Sequence, residues 1–375
     1  MSTWLLLLLV CASLLLAQDV PTLDDFGDLP SEGDLWPTVE KTERVQYLFL
    51  SGQTSQTRGL YRLDLDGSNF KTVATSSSGS FACTVDDWTG IVYWSGGDVV
   101  FQSDAADIKT RGYPNRSERE RLTPYAGYVP SLAAEANNSF LYIATAAPVA
   151  SIYRLDTGTG SSSLILSGTA SLGVPTALAV EHATSGGGGG DMLFWIDPTL
   201  PSIRRYTLAT TTAPTTVLSG SPLVSPAALA LHTDASLQLL FVADSGNVGS
   251  TATGFILACN SSDGGQLQTL LSNIRPISLL LHENKLYFTE ANGLANVYVS
   301  AVSDITSTSA MSAGTPTLLY SLPSALNAEG KAIFNGLCLG MMRIETSTRI
   351  DFFSPATWTE IAERVVEDTF IAVIN

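Results

Sequence analysis

The sequence is poor in basic residues. It has 19 Lys and Arg against 35 Asp and Glu in 375 residues, which gives a formal net charge of −16. A protein that binds a nucleic-acid backbone or an anionic membrane surface needs clustered positive charge. The composition therefore argues against both functions. The hydrophobic fraction of 45% is high enough for a packed core rather than a disordered chain.

The sequence also lacks the common catalytic motifs. It contains no G-x-S-x-G, H-E-x-x-H, C-x-x-C, Walker-type loop or dinucleotide-binding fingerprint. A run of five glycines at 186–190 has no helix pattern after it, so it is interpreted as a flexible loop rather than a phosphate cradle. Nothing in the pattern predicts an assembled active site, and the expectation leans towards a protein that is not an enzyme.

Only one stretch is long and continuously apolar. Residues 4–16 are too few to span a bilayer comfortably and end at a plausible cleavage site, Ala17-Gln18. This pattern predicts a secretory signal peptide over 1–17, with an uncleaved anchor as the alternative. Residues 18–44 hold eight acidic and two basic residues with almost no apolar periodicity, which predicts an acidic, disordered leader.

Cysteine is scarce, with four in the chain, one of them Cys11 in the signal segment. One disulfide and one free thiol is the simplest state of the other three, and the sequence does not choose the pair. These three are Cys83, Cys259 and Cys338. Three glycosylation sequons fit a secreted protein. They begin at Asn115, Asn137 and Asn260.

The most informative feature is an internal repeat of about fifty residues. Six short apolar segments recur, and each of the first five is followed by a strand pattern with an aromatic residue near its start. The segments begin at Ser80, Pro130, Pro175, Pro226, Pro276 and Phe334. Each repeat contains four strand patterns separated by Gly, Asn, Asp and Ser turns, which is typical of a propeller blade.

The repeats predict an all-β fold, a six-bladed β-propeller of four-stranded blades over 45–353. The first blade lacks its own first strand, and the segment from Phe334 can supply it. That pairing of the two chain ends closes the ring and removes exposed sheet edges. The alternative is that 334–353 begin a seventh blade. Residues 354–375 are predicted to form a short amphipathic helix and a final strand.

The motifs within the repeats resemble the YWTD repeat of the low-density-lipoprotein receptor class, whose propellers have six blades. The resemblance covers roughly 45–340, and the fourth motif position varies between blades. The matching positions are Asp66, Gly67, Asp87, Trp88, Tyr93 and Trp94. The cysteine-rich modules and membrane span of that class are missing, so its particular ligands do not carry over.

Two structural roles are expected for the repeated motif residues. Acids that follow the second strand of a blade can accept backbone N–H bonds in the tight turn there. These acids are Asp197, Asp244 and Glu290. The aromatic residues of the second strands are expected to pack between adjacent blades. They are Tyr93, Tyr142, Phe194, Phe241 and Tyr287.

A metal site is predicted at one mouth of the central channel. Asp86, Glu181, His232 and His282 occupy nearly the same place in successive repeats, with Glu135 and His182 close to that register. Imidazole and carboxylate groups suit a divalent metal. The alternative is that these side chains cap the turn after the innermost strand.

A second metal hypothesis concerns the opposite mouth of the channel, where six-bladed propellers similar to gluconolactonase hold catalytic Ca²⁺. The corresponding positions here contain no carboxylate, which such a hard cation needs. They are Ser80, Ser131, Thr176, Ala227, Ile277 and Asn335.

The preferred hypothesis is a secreted, monomeric, non-catalytic propeller that binds an extracellular protein or glycan. The candidate contact residues are Arg204, Arg205 and Trp88, on or near the loops. The rival hypothesis is a calcium-dependent lactonase or esterase of the gluconolactonase-like type. A third is a structural propeller whose acidic leader keeps it soluble.

Overall fold

A computed structural model describes most of the chain between residues 38 and 349. The described residues are 38–76, 82–86, 90–104, 120–124, 127–135, 140–146, 148–168, 172–181, 191–210, 212–233, 237–247, 254–290, 295–303, 305, 311–327 and 332–349. The predicted signal peptide, most of the predicted leader and the predicted C-terminal helix and strand lie outside them.

The chain divides into two compact units. One consists of Met1–Thr42 together with Glu345–Asn375, and only the strand ends at 38–42 and 345–349 are described in it. The other, Glu43–Ile344, contains six antiparallel β-sheets. No helix in the described part of the chain is long and apolar enough to cross a membrane.

Each sheet is one blade, and its strands are given from the centre of the ring outwards. Blade 1 consists of β25 (Ile333–Arg349), β1 (Thr38–Gln53), β2 (Arg58–Asp64) and β3 (Lys71–Thr75). Blade 2 consists of β4 (Cys83–Asp86), β5 (Ile91–Gly96), β6 (Val99–Asp104) and β7 (Glu120–Pro124). Blade 3 consists of β8 (Ser131–Ala134), β9 (Phe140–Thr145), β10 (Ser151–Asp156) and β11 (Ser162–Ser167).

The remaining three blades follow the same plan. Blade 4 consists of β12 (Leu178–Glu181), β13 (Met192–Asp197), β14 (Ser202–Thr207) and β15 (Thr215–Ser219). Blade 5 consists of β16 (Pro226–Thr233), β17 (Gln238–Asp244), β18 (Gly254–Asn260) and β19 (Gln268–Ile274). Blade 6 consists of β20 (Pro276–His282), β21 (Lys285–Glu290), β22 (Asn296–Ser303), β23 (Ser312–Ala313) and β24 (Thr317–Ser321), the last two both paired with β22.

The two ends of the propeller sequence meet in blade 1. Strand β25 pairs with β1 and is the innermost strand of that blade, so the predicted ring closure is confirmed. The described residues contain no seventh sheet, and the segment that might have begun one belongs to β25. Strand β1 begins at Thr38, so residues 38–44 of the predicted leader are in a strand.

Burial follows the position of each strand within its blade. The second strands β5, β9 and β13 are buried along nearly their whole length, because neighbouring blades cover both faces of the sheet. The outermost strands β11 and β15 are mostly exposed. A continuous apolar run of about five residues is therefore typical of the middle of a blade, as the sequence shows.

The described residues form a core of six hydrophobic clusters, and each lies between two adjacent blades. One cluster combines Phe49 of blade 1 with Trp94 of blade 2, and another combines Leu48 of blade 1 with Tyr287 of blade 6. The other four join blades 2 and 3, 3 and 4, 4 and 5, and 5 and 6. Hydrophobic packing is thus continuous around the ring, including the junction of the chain ends.

The second-strand aromatics have the predicted role. All five are buried and belong to the cluster between their own blade and the next. The residue after each of them points to the opposite face of the sheet because strand side chains alternate. Trp94, for example, packs against the preceding blade and stacks on Phe101 with ring centroids 5.5 Å apart.

Candidate binding face

The antiparallel blades give the ring two different faces. The face where the innermost strands begin carries the loops between second and third strands and the connections between blades; we call it the entry face. The opposite face carries the turns between first and second strands and between third and fourth strands; we call it the exit face.

A cavity of about 90 Å³ opens where the innermost strands begin. Its lining includes Ser131, Thr176, Ala227 and Asn335, four of the six positions compared with the calcium-binding propellers. None of the described lining residues is acidic. This mouth of the channel therefore offers hydroxyl, amide and backbone oxygens but no charged oxygen for a hard cation.

Asp244 holds the connection between blades 4 and 5 on the entry face by hydrogen bonds. It ends β17, is fully buried, and both of its oxygens accept backbone hydrogen bonds. The Val224 amide donates to Oδ2 at 2.7 Å, the Gly246 amide donates to Oδ1 at 2.8 Å, and the Ser225 amide lies within 3.1 Å of both oxygens. One carboxylate thus joins the end of a second strand to the segment that leads into its own blade.

The equivalent acids of blades 4 and 6 make related contacts. Asp197 accepts hydrogen bonds from the amide and hydroxyl of Thr199, and a side chain at Gly173 would collide with its carboxylate. Glu290 accepts a hydrogen bond of 3.2 Å from the Arg275 amide. Asp197 and Asp244 therefore have the predicted role in the turn after the second strand, whereas Glu290 contacts the connection that leads into its own blade.

Large hydrophobic side chains are exposed on the entry face of blades 3, 4 and 5. Leu200 is 69% exposed, Val149 52%, Val224 44% and Tyr128 39%. Val149 and Leu200 lie in loops between second and third strands, and Tyr128 and Val224 lie in connections between blades. We call these four residues the apolar quartet. The other exposed large hydrophobics of the described chain, Leu164, Leu267 and Leu318, lie on outer strands or next to one.

The arginines predicted as binding residues lie on β14, the third strand of blade 4. Arg205 donates a hydrogen bond to the Ser262 carbonyl of blade 5, so it joins two blades. Arg204 is half-buried and pairs with Trp195 in the strand register. Trp88 lies outside the described residues. A binding role for these three stays a prediction.

The predicted metal ligands lie near the exit face. Glu181 is buried and its oxygens lie 3.5 Å from the hydroxyls of Thr233 and Ser261 in blade 5. Burial raises the pKa of Glu181, while these hydroxyls lower it. Asp86 is buried and His232 is half-buried. His282 Nε2 lies 3.3 Å from Gln46 Oε1 and 3.6 Å from Glu283 Oε1.

These four residues are not gathered into one site. Within the described ranges, no three His, Cys, Asp or Glu side chains lie together in a way that could hold a metal ion. His182 lies outside those ranges, and Glu135 is buried and accepts a hydrogen bond of 3.0 Å from the Tyr142 hydroxyl. The metal prediction gains no support here.

Two arginine contacts were missed at the level of sequence. The Arg62 guanidinium stacks over the Tyr47 ring at 4.4 Å, and Arg154 stacks over Phe140 at 4.6 Å. In both blades an arginine of the third strand lies two residues before an Asp, and an aromatic residue of the second strand faces that Asp in the register. This repeated Arg-Leu-Asp pattern is the feature of the sequence that could have predicted the two arginine–aromatic contacts. Cation–π contacts of this kind stabilise the blade.

Only one of the three predicted glycosylation sites lies within the described residues. Asn260 ends β18, and its side-chain oxygen accepts a hydrogen bond of 2.8 Å from the Ser262 amide in a tight turn. Asn115 and Asn137 lie outside the described residues. Modification of all three stays a prediction.

The structure resembles a chain of the crystal structure of a nidogen/laminin complex, with a TM-score of 0.58 and 13% sequence identity. The match covers 79% of this chain and 98% of that chain. No protein-family model matches the sequence, and no curated protein matches it. The likeness establishes the fold. The chain forms a six-bladed β-propeller, as the repeats predicted.

Proposed function

We propose that this protein is a secreted, non-catalytic propeller that binds an extracellular protein through the entry face of blades 3 to 5. The observation that carries the proposal is the apolar quartet. Exposed apolar side chains that share one face of a protein are candidates for an interaction surface. Four of the seven exposed large hydrophobics of the described chain share this part of one face.

The chemistry of the quartet favours a protein over a glycan as the partner. Three of its members are aliphatic, and Tyr128 adds an aromatic ring of the kind enriched at protein interfaces. The nidogen chain with the same fold was solved in a complex with laminin, which is also a protein partner. Secretion is supported by the apolar segment at 4–16 and by the sequons.

A capture experiment with two matched variants tests the proposal. The immobilised full chain is exposed to an extracellular protein fraction, next to the entry-face variant Leu200→Ser/Val224→Ser and the outer-strand variant Leu164→Ser/Leu318→Ser. We expect a protein that the wild type and the outer-strand variant retain, and whose retention falls about tenfold or more in the entry-face variant. Equal retention by all three would contradict the proposal. Loss of capture after enzymatic deglycosylation of the fraction would instead identify a glycan.

The rival lactonase function has a separate test. The purified chain is titrated with Ca²⁺ against a panel of lactones and esters. We expect no calcium-dependent turnover, because the described residues at the entry mouth of the channel provide no carboxylate. Calcium-dependent hydrolysis would overturn the non-catalytic part of the proposal and leave the binding part to the capture experiment.

A further inference from the structure

Two cysteines from opposite ends of the propeller sequence meet at the junction of blades 1 and 2. Cys338 lies on β25, the innermost strand of blade 1, and Cys83 lies on β4, the innermost strand of blade 2. Their Sγ atoms are 2.7 Å apart, although the residues are 255 positions apart in the sequence. A disulfide needs about 2.05 Å between the sulfurs. The two side chains already point at each other, and a shift of less than about 1 Å allows the bond.

We propose that Cys83 and Cys338 form a disulfide bond that locks the ring where the chain ends meet. Both residues are buried in the cluster that also holds Phe49 and Trp94. A bond at this place is shielded from reductants in solution. The pair also resolves the choice that three cysteines leave open in the sequence.

The third cysteine is poorly placed to compete. Cys259 is fully buried in the different cluster between blades 4 and 5. Burial raises the pKa of its thiol to about 12, so the reactive thiolate form is scarce. Cys259 is therefore expected to stay a thiol.

Hydrogen bonds link the innermost strands at two other junctions. The Leu178 amide of blade 4 donates to Ser131 Oγ of blade 3 at 2.8 Å, and the Ala134 amide of blade 3 donates to Thr84 Oγ1 of blade 2 at 3.2 Å. Blade 1 is different because β25 joins it from the far end of the chain. A covalent link from β25 to blade 2 prevents this strand from leaving the ring and restricts the unfolded chain.

Formation of the disulfide requires an oxidant. This oxidant is a disulfide donor of the oxidative folding machinery or oxidised glutathione. The thiolate of one cysteine attacks a sulfur of the donor and releases one donor thiolate. The thiolate of the second cysteine then attacks the mixed disulfide and releases the other. Two thiols are oxidised, one donor disulfide is reduced to two thiols, and no oxygen atom is transferred.

The test uses the full-length chain equilibrated with oxidised and reduced glutathione. Free thiols are blocked in denaturant, and the peptides are mapped by mass spectrometry without reduction. We expect one cross-linked pair of peptides, containing Cys83 and Cys338, while Cys259 carries the blocking group. Complete blocking of Cys83 and Cys338, or a cross-link that includes Cys259, would overturn the proposal.

A thermal melt provides a second readout that does not depend on peptide coverage. The chains are reduced in denaturant and refolded with reductant present, because a buried disulfide resists reduction in the folded state. This treatment should lower the melting temperature of the wild type and of Cys259→Ala by about 5 °C or more. The melting temperatures of Cys83→Ala and Cys338→Ala should not respond to the reductant. A wild-type melt that is unchanged by reduction would count against a locking bond.

Discussion

The carboxylate of Asp244 accepts a 2.7 Å hydrogen bond from the backbone amide of Val224, a member of the apolar quartet. The contact ties a buried residue at the end of β17 to an exposed residue in the connection between blades 4 and 5. The acid at the end of this second strand thus positions a part of the proposed binding face.

The substitution Asp244→Asn tests this role. The Asn side chain has an NH2 group where Asp has a second accepting oxygen. This NH2 group faces backbone N–H groups, so buried donors are left without an acceptor. We expect the free energy of unfolding to fall by about 3 kcal/mol, as measured by chemical denaturation. The matched control is Asp263→Asn, an exposed turn residue whose single oxygen contact to the Gly265 amide an Asn can keep. Asp263→Asn should change the free energy of unfolding by no more than about 0.5 kcal/mol. Equal losses of stability in both variants would contradict the role of the Asp244 hydrogen bonds.

A close approach between blades explains the glycine of the Asp66-Gly67 turn. Gly67 has a φ of +87°, and a Cβ there would lie 2.1 Å from the Leu319 carbonyl oxygen of blade 6. A Cβ at Gly264 would likewise collide with the Val217 carbonyl oxygen of blade 4. Gly160 also has a positive φ, of +70°, but has open space around it. The repeat motif therefore keeps glycine in two of these turns because the neighbouring blade leaves no room for a side chain.

Alanine substitutions separate the cost of the backbone conformation from the cost of the clash. Gly160→Ala should lower the free energy of unfolding by about 1 to 2 kcal/mol through its left-handed conformation alone. Gly67→Ala should cost about 2 kcal/mol more, because the neighbouring backbone must also shift. The difference is measured by denaturant unfolding of both variants. Equal losses of unfolding free energy in the two variants would show that the contact with blade 6 does not restrict the side chain at position 67.

Glu181 makes the stability of the propeller depend on pH. Burial raises its pKa in the folded state, so the folded protein holds this proton more tightly than the unfolded chain does. The resulting stabilisation is complete below the pKa of the unfolded chain and is lost as the pH rises through the raised pKa of the folded state.

The substitution Glu181→Gln removes this titration while an amide oxygen can still accept from Thr233 or Ser261. We expect the variant to gain stability relative to the wild type as the pH is raised from about 4 to 7. Denaturation at several pH values measures the difference. The control Glu283→Gln changes an exposed side chain. A difference between Glu181→Gln and wild type that is independent of pH would show that burial does not perturb this carboxyl.

The fold was predictable because its signals are local and repeated. Strand patterns with an aromatic near their start mark the middle of each blade, and the missing first strand of blade 1 predicted the pairing with β25. The role of Asp197 and Asp244 was also accessible, since each acid and the turn amide that binds to it lie two residues apart.

Contacts between blades were not predictable in the same way. Arg205 reaches Ser262, 57 residues away, and Cys338 reaches Cys83, 255 residues away. Such pairs depend on the angle between blades, which a repeat period does not specify. The apolar quartet was missed for a related reason, because an exposed Leu200 and a buried Leu193 look alike until the strands are placed.

Hydrogen exchange on the complex with the captured partner is the most direct test of the proposed binding face. Binding should slow exchange in residues 127–130, 148–151, 198–202 and 220–225, the segments that carry the apolar quartet. Protection confined to the exit-face turns at 64–71 and 260–265, with unchanged exchange in the quartet segments, would contradict the account.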